Sequence, residues 1–288
     1  MELTPTTTFT TADDGARLAA HLIGDGIALL CLPGGPMLDA EYLGDLGGLS
    51  AHRRLVLLDP RGTGSSESTD PSTYRCDRMI DDVEALRRHL DLDTLDLLAH
   101  SAGANIAYRY AERHPDRVGR LVLVTPSMFA LGIAAPDEAR REIALLRENE
   151  PWYAGAAAAL ASIQAGTATE ADWSAITPFT YGRWDEEARA YDARMQARRN
   201  PEAAAAFAAE GAFDPPVTRA ALAELDAPVL VLAGEWDLGN PPRAMAQVAD
   251  QFRHTRLVVQ PEAGHFPWLD DPHRFRQLLA PFLNDARP

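Results

Sequence analysis

Lysine is missing from this chain, and all 27 of its basic residues are arginine. Lysine supplies the amine of Schiff-base enzymes and the phosphate-binding ammonium group of P-loop proteins, so both kinds of chemistry are excluded. Asp and Glu together number 42, which gives a formal net charge of −15. Because this charge repels negatively charged surfaces, we expect neither nucleic acid nor a membrane as a partner.

Cysteine is almost as scarce, since Cys31 and Cys76 are the only two in the sequence. Two cysteines form neither a disulfide framework nor a zinc cluster, so we expect a reducing, cytoplasmic compartment and no metal. No apolar run approaches the ~20 residues of a transmembrane helix. Residues 1–4 lack the basic and apolar regions of a signal peptide. We also expect no cofactor.

Short apolar runs alternate with amphipathic helical segments towards both ends of the chain. Predicted strands cover residues 6–11, 16–23, 27–32, 54–58, 95–99, 120–124, 228–233 and 256–259, and predicted helices cover residues 74–90, 102–114, 241–252 and 272–284. This alternation is typical of a mostly parallel sheet with helices on both faces.

The middle of the chain differs, because alanine-rich helical segments interrupted by prolines replace the strand-like runs. We predict that residues 126–225 form a helical cap. Residues 1–125 and 226–288 then form the core. A second independent domain is the alternative, and the return of strand–helix alternation after the cap argues against it.

Ser101 is the most informative residue of the core. It follows the predicted strand of residues 95–99 and precedes the helix of residues 102–114, with the small residues Ala99 and Gly103 two positions on either side. A serine on a tight strand-to-helix turn is how an α/β-hydrolase presents its nucleophile. The structural alternative is a helix N-cap, for which serine is also favoured.

Two further residues at strand ends complete a constellation with Ser101. Asp237 follows the strand of residues 228–233, and His265 follows the strand of residues 256–259. Ligands of such sheets bind at the carboxyl ends of the strands, so we expect these side chains to meet. His265 would serve as general base and Asp237 would orient it, with Glu235 as the alternative acid. We expect His100 to point away from the site.

The glycine-rich loop after the third predicted strand supplies the remaining element of acyl-transfer chemistry. Its sequence is Pro33-Gly34-Gly35-Pro36, and glycines allow the backbone to approach a substrate closely. We assign the oxyanion donors as the N–H groups of Gly35 and Ala102. An ordinary turn is the alternative for this segment.

With these motifs in place, the chain resembles the α/β-hydrolase superfamily, and within it the proline iminopeptidase branch. The motifs that carry the resemblance are Leu32-Pro33-Gly34-Gly35-Pro36, Leu58-Asp59-Pro60-Arg61-Gly62-Thr63-Gly64-Ser65-Ser66, the Ser101 turn, the Asp237 loop and Gly264-His265. The resemblance implies an α/β-hydrolase fold: a mostly parallel eight-stranded sheet with helices on both faces and an inserted helical cap.

The sequence departs from that branch at three positions. Pro33 and Met37 replace a histidine and a glycine of the oxyanion loop, and Ala102 replaces the tryptophan after the nucleophile. In that branch, carboxylates of the cap hold the free amine of the substrate. The residues that could do so here are Glu148, Glu150, Asp185, Glu186, Glu210 and Glu235.

The primary functional prediction is a serine hydrolase that cleaves a small N-terminal aminoacyl group, of the Pro or Ala type, from a short peptide or an aminoacylated metabolite. The same residues suit a carboxylesterase, lactonase or thioesterase, and an apolar cap lining would favour these. Carbon–carbon bond hydrolysis also stays open. A non-catalytic ligand-binding protein is the alternative from another class.

Overall fold

A computed structural model describes residues 5–285, so residues 1–4 and the prediction made for them lie outside the described chain. All eight predicted strands are present, with ends that shift by at most two residues. They are β1 (Thr6–Thr11), β2 (Arg17–Ile23), β3 (Ala28–Leu32), β4 (Arg54–Leu58), β5 (Leu95–His100), β6 (Val118–Val124), β7 (Val229–Gly234) and β8 (Thr255–Gln260).

The strands form one sheet in the order β1-β2-β4-β3-β5-β6-β7-β8. Strand β2 is antiparallel to both of its neighbours, and all other pairs are parallel. The central strands β3, β5 and β7 are buried along their whole length, as expected for a parallel sheet that is covered on both faces. The predicted fold class is confirmed.

The helices of the described residues follow the strands in the expected alternation at both ends of the chain. They are α1 (Met79–His89), α2 (Gly103–Arg113), α3 (Asp137–Leu145), α4 (Tyr153–Gln164), α5 (Glu170–Ala175), α6 (Glu186–Gln196), α7 (Pro201–Phe207), α8 (Pro215–Ala223), α9 (Pro242–Ala249), α10 (Pro267–Asp270) and α11 (Pro272–Asn284).

Alternate residues of each strand pack into two separate hydrophobic clusters, one on each face of the sheet. In β5, for example, Leu97 belongs to the cluster that contains α1, α2 and α9, whereas Leu98 belongs to the cluster that contains α11. This division follows from the two-residue period of a strand. It places the carboxyl ends of the parallel strands along one edge, where the loops that carry Ser101, Asp237 and His265 begin.

The predicted helix of residues 74–90 is shorter in the structure. A 3-10 turn, Pro71–Tyr74, begins after the N-cap Asp70, and α1 starts only at Met79. The N–H of Cys76 donates to the carbonyl of Phe207 in α7, at 3.0 Å. This long-range bond takes a donor that a helix would use, and residues 75–78 form a bend and a turn between the two helical pieces.

Residues 126–225, the cap segment, contain α3–α8 and, in the described chain, no strand. Four of these helices begin with a side-chain N-cap: Thr169, Asp185, Asn200 and Asp214 each accept an N–H of the first helical turn. The division into core and cap remains a prediction. Across residues 5–285, we find no helix of the length and apolarity that crossing a membrane requires.

Candidate active site

Ser101 occupies the turn between β5 and α2 in a left-handed backbone conformation, with φ of 50°. Its N–H donates to the carbonyl of Val124 at 3.1 Å, and its own carbonyl accepts the N–H of Ser127 at 2.9 Å. A non-glycine residue at positive φ is strained, and it persists only where its surroundings hold it. These two bonds to the end of β6 hold the serine in that conformation.

Gly103 and Gly34 explain why small residues surround the serine. A Cβ on Gly103 would lie 2.5 Å from the backbone oxygens of both Leu32 and Pro33, and a Cβ on Gly34 would lie 2.8 Å from the Cβ of Ser101. The closest obstacle at Gly103 is therefore the backbone that leaves β3.

Asp237 and His265 are joined by a hydrogen bond of 2.7 Å between Oδ2 and Nδ1. The carboxylate is buried, and its other oxygen accepts the N–H groups of Gly239 at 2.9 Å and Asn240 at 3.0 Å. The N–H of Trp236 donates to Ala263 at 2.8 Å, which ties the two loops together. With both oxygens engaged, Asp237 accepts the Nδ1 proton of the ring and leaves Nε2 free to act as a base.

The backbone of His265 is held as firmly as its ring. Its N–H donates to the carbonyl of Thr180, in the cap segment, at 2.7 Å. Its carbonyl accepts two hydrogen bonds of 2.9 Å, from Thr125 Oγ1 and from Nε2 of His100. The described hydrogen bonds do not include one between the Ser101 hydroxyl and His265, a bond that is often long in a free enzyme and shortens when substrate binds.

The oxyanion loop presents one glycine to the core and the next to solvent. Gly34 is buried, and its N–H donates to the hydroxyl of Tyr42 at 2.7 Å. Gly35 is exposed and has φ of 115°. Within residues 5–285, neither the N–H of Gly35 nor that of Ala102 has a hydrogen-bond partner. Both predicted donors are therefore available to a ligand.

The alternatives for base and acid, His100 and Glu235, are held by other bonds. His100 is buried, its ring centroid lies 4.9 Å from that of His265, and its ring nitrogens are bonded to Tyr42 and to the carbonyl of His265, so it packs behind the site rather than away from it. The carboxylate of Glu235 accepts the N–H of Glu262 at 2.8 Å. With both ring nitrogens engaged, His100 is not available as the base, and within residues 5–285 Glu235 forms no hydrogen bond with His265.

Asp270 holds the backbone beside His265, a contact that the sequence did not reveal. Its Oδ2 accepts the N–H of Gly264 at 2.8 Å, and its Oδ1 accepts the N–H of Gly182 at 3.1 Å. Burial raises the pKa of Asp270 to about 6, against the effect of these two bonds and of the Arg183 and Arg147 guanidinium groups. In the sequence Asp270 resembles only a residue next to a helix N-cap, so no local signal marks it.

Of the six carboxylates proposed for an amine site, three are bonded to other groups and three are exposed. Asp185 caps α6 through the N–H of Ala188, Glu150 forms an ion pair with Arg147, and Glu235 is engaged as described. The other three, Glu148, Glu186 and Glu210, are exposed. None of the six forms a hydrogen bond with Ser101, Asp237 or His265 in the described part of the chain.

Apolar and aromatic side chains, rather than these carboxylates, pack against the loop that carries Asp237, the acid loop. Leu238, next to Asp237, packs in a cluster with the cap residues Phe179 and Leu160. The buried guanidinium of Arg147 lies 4.8 Å from the ring of Trp236 and donates to the carbonyl of Tyr181 at 2.9 Å. Burial lowers the pKa of Arg147, although Glu150 counteracts this effect.

Comparisons with known proteins agree with this architecture. The chain is 27% identical over 284 residues to a 2-hydroxymuconate semialdehyde hydrolase of Pseudomonas sp. (strain CF600), covering 94% of this chain and 92% of that protein. It is 31% identical over 108 residues to a proline iminopeptidase of Heyndrickxia coagulans, covering 37% of this chain and 38% of that protein.

Among solved structures, the proline iminopeptidase of Mycobacterium smegmatis shares the fold, with a TM-score of 0.73, 23% identity, and coverage of 96% of this chain and 97% of that one. The predicted resemblance to proline iminopeptidases is thus confirmed, since a relative and a solved structure of that name both match this chain. The sequence model of the α/β-hydrolase fold matches residues 27–272. The chain therefore belongs to the α/β-hydrolase fold family.

Proposed function

We propose that this protein is a serine hydrolase that forms an acyl-enzyme on Ser101. The observation that carries the proposal is the pair of Asp237 and His265, joined at 2.7 Å across the ends of adjacent strands. Ser101 projects from the end of another strand of the same sheet edge, at positive φ. This arrangement and the chain order Ser, Asp, His are those expected of an α/β-hydrolase nucleophile with its base and acid.

In the proposed reaction, Ser101 Oγ attacks the substrate carbonyl carbon while Nε2 of His265 takes its proton. The N–H groups of Gly35 and Ala102 donate to the oxyanion, and each such donor contributes about 3–4 kcal/mol to transition-state stabilisation. The imidazolium of His265, stabilised by Asp237, then protonates the leaving group. Water, deprotonated by the same nitrogen, attacks the acyl-enzyme, and His265 returns this proton to Ser101 Oγ as the acid is released.

For the substrate, we propose an ester or lactone with an uncharged acyl group. The buried apolar cluster of Leu238, Phe179 and Leu160 beside Asp237 supports this class, because an ammonium ion is costly to bury next to apolar side chains. The engagement of Glu150, Asp185 and Glu235 elsewhere also supports it.

An aminoacyl amide or aminoacyl ester is the second candidate, and with it an aminopeptidase activity on a short peptide or other substrate with a free amine. The 31% identity to a proline iminopeptidase over 108 residues favours it. In this case a carboxylate of the cap segment would have to turn towards Ser101 when the amine binds.

A matched pair of substrates separates the two candidates. The 4-nitrophenyl esters of proline and of cyclopentanecarboxylic acid have the same leaving group and ring size, and only the former has an amine. We expect a higher kcat/KM for the cyclopentane ester. A preference for the prolyl ester, together with hydrolysis of proline 4-nitroanilide, would instead support the aminopeptidase function.

Ser101→Ala is the control for both substrates. We expect it to reduce hydrolysis by about a thousandfold or more, since it removes the nucleophile. A fluorophosphonate probe should label the wild type at Ser101 and leave the variant unlabelled. An unlabelled wild type that hydrolyses neither ester would contradict the proposal and favour a non-catalytic ligand-binding protein.

A further inference from the structure

A buried chain of hydrogen bonds runs behind the reacting atoms of the proposed site. The N–H of Gly34 donates to Oη of Tyr42 at 2.7 Å, and the same Oη lies 2.7 Å from Nδ1 of His100. On the other side of the ring, His100 Nε2 lies 2.9 Å from the carbonyl oxygen of His265. The chain thus connects the oxyanion loop, the nucleophile turn and the backbone of the base.

Only one arrangement of protons fits these contacts. The carbonyl of His265 can only accept, so Nε2 of His100 must carry a proton. Burial holds the pKa of His100 well below its ordinary value, so the ring is neutral and its Nδ1 is an acceptor. The hydroxyl of Tyr42 must then donate to Nδ1, and it accepts from Gly34 through a lone pair.

Aromatic rings exclude water from this chain. The His100 ring lies 4.8 Å from the ring of Trp268 and 5.2 Å from that of Phe266, and both His100 and Tyr42 are buried. The hydroxyl of Tyr191, in α6, donates to the backbone carbonyl of Tyr42 at 2.7 Å. A bond broken here would leave an unpaired polar group that solvent could not reach.

We propose that Tyr42 and His100 are positioning residues of the serine hydrolase inferred above. Their fixed donors and acceptors set the distance between the oxyanion loop and the base loop. Neither residue touches substrate. Tyr42 takes the N–H of Gly34, whereas the next amide, on exposed Gly35, has no hydrogen-bond partner within residues 5–285 and is free for the oxyanion. The pair therefore acts on the transition state through geometry, and its loss should reduce kcat rather than raise KM.

Tyr42→Phe tests this role, because it removes only the hydroxyl. We expect kcat with the better ester, and the rate of fluorophosphonate labelling, to fall about 10- to 100-fold while KM changes less than about twofold. Tyr110→Phe is the matched control. It removes another buried hydroxyl, which donates to Glu84 at 2.9 Å in α1, away from the strand ends. Tyr110→Phe should reduce the melting temperature by about as much as Tyr42→Phe does, without changing kcat.

Two substitutions of His100 provide a rescue experiment. The amide N–H₂ of His100→Gln can still donate to the carbonyl of His265, whereas His100→Leu can donate nothing. We expect the Gln variant to retain at least about five times the labelling rate of the Leu variant. This pair also keeps the proposal testable if Tyr42→Phe fails to fold.

A nitrogen-15 NMR spectrum of the histidine rings of the wild type gives a readout that does not depend on activity. At pH 7 we expect His100 to be neutral with its proton on Nε2. A proton on Nδ1, or a Tyr42→Phe variant that loses stability like Tyr110→Phe but keeps its kcat, would overturn the proposal. A wild type that the probe does not label would overturn the serine-hydrolase function itself, and the spectrum would still decide the proton positions.

Discussion

Asp270 accepts the backbone N–H of Gly264, the residue before His265, at 2.8 Å. Its second oxygen holds Gly182 of the cap segment at 3.1 Å, so one carboxylate fixes both sides of the contact between the cap segment and the base loop. Its pKa, raised by burial to about 6, makes the strength of this contact dependent on pH.

We expect Asp270 to make the folded state more stable as the pH falls from 7 to 4. Its folded pKa of about 6 lies above the ordinary value of 3.8, so the folded protein binds a proton that the unfolded chain does not. Asp270→Asn removes this proton uptake. Urea unfolding from pH 7 to 4 should therefore show the wild type gaining free energy of unfolding relative to the variant.

Glu84→Gln is the control, because Glu84 should change stability with pH in the opposite direction to Asp270. Hydrogen bonding to Arg87 lowers the pKa of Glu84 to about 2, so its contribution is present above the ordinary pKa of 4.5 and is lost as the pH falls. The difference between the wild type and this variant should shrink below about pH 5. If the difference in free energy of unfolding between the wild type and Asp270→Asn stayed constant from pH 7 to 4, the proposed protonation of Asp270 would be contradicted.

Asp237→Asn should reduce kcat by about 10³- to 10⁴-fold. The N–H groups of Gly239 and Asn240 select the amide oxygen of the new side chain, so its N–H₂ group faces Nδ1 of His265. The ring must then accept at Nδ1 and carry its proton on Nε2, where it cannot deprotonate Ser101. Glu235→Gln should leave kcat within about twofold, and a larger loss there would identify Glu235 as the acid.

Gly103→Ala should destabilise the protein by at least about 2 kcal/mol, because its Cβ would lie 2.5 Å from two backbone oxygens. Gly155→Ala, on an exposed part of α4, meets nothing within 4 Å. The second substitution should stabilise the protein by about 0.5–1 kcal/mol, since alanine is the better helix former. Urea unfolding measures both, and equal effects would refute the crowding at the nucleophile turn.

Asp82→Ala should lower the free energy of unfolding by about 3–5 kcal/mol, because it leaves the charge of Arg61 buried without its main partner. Nε of Arg61 donates to Asp82 at 2.8 Å, and both side chains are 2% exposed. Asp13→Ala breaks the solvent-exposed pair with Arg88 and should change the free energy of unfolding by less than about 1 kcal/mol. Similar losses for the two variants would show that burial does not strengthen the dependence on Asp82.

The sheet was predictable because its signal is local. Continuous apolar runs such as that of β5 mark buried parallel strands, and the loops at their carboxyl ends must meet at one edge. Ser101, Asp237 and His265 could therefore be grouped without a structure, and the Asp237–His265 contact was expected. The side chains that hold this edge together were not predictable in the same way.

Tyr42 and Asp270 show the physical reason. Tyr42 meets His100 across 58 residues of sequence, and Asp270 meets Gly182 across 88. Neither contact leaves a periodic pattern, since each depends on how segments far apart in the sequence are packed together. The late start of α1 within the predicted helix of residues 74–90 has the same origin, because the Cys76 bond to Phe207 forms only in the folded chain.

The carbonyl of Thr180, in the cap segment, receives the N–H of His265. Gly264 lies so close that a Cβ there would be 2.5 Å from the same oxygen. The cap segment therefore helps to hold the proposed base, and the remaining residues do not position His265 by themselves. A chimera with the cap of a relative would inherit a working base only if the donor cap supplied an equivalent carbonyl at this point, which limits how far substrate preference can be transplanted between relatives.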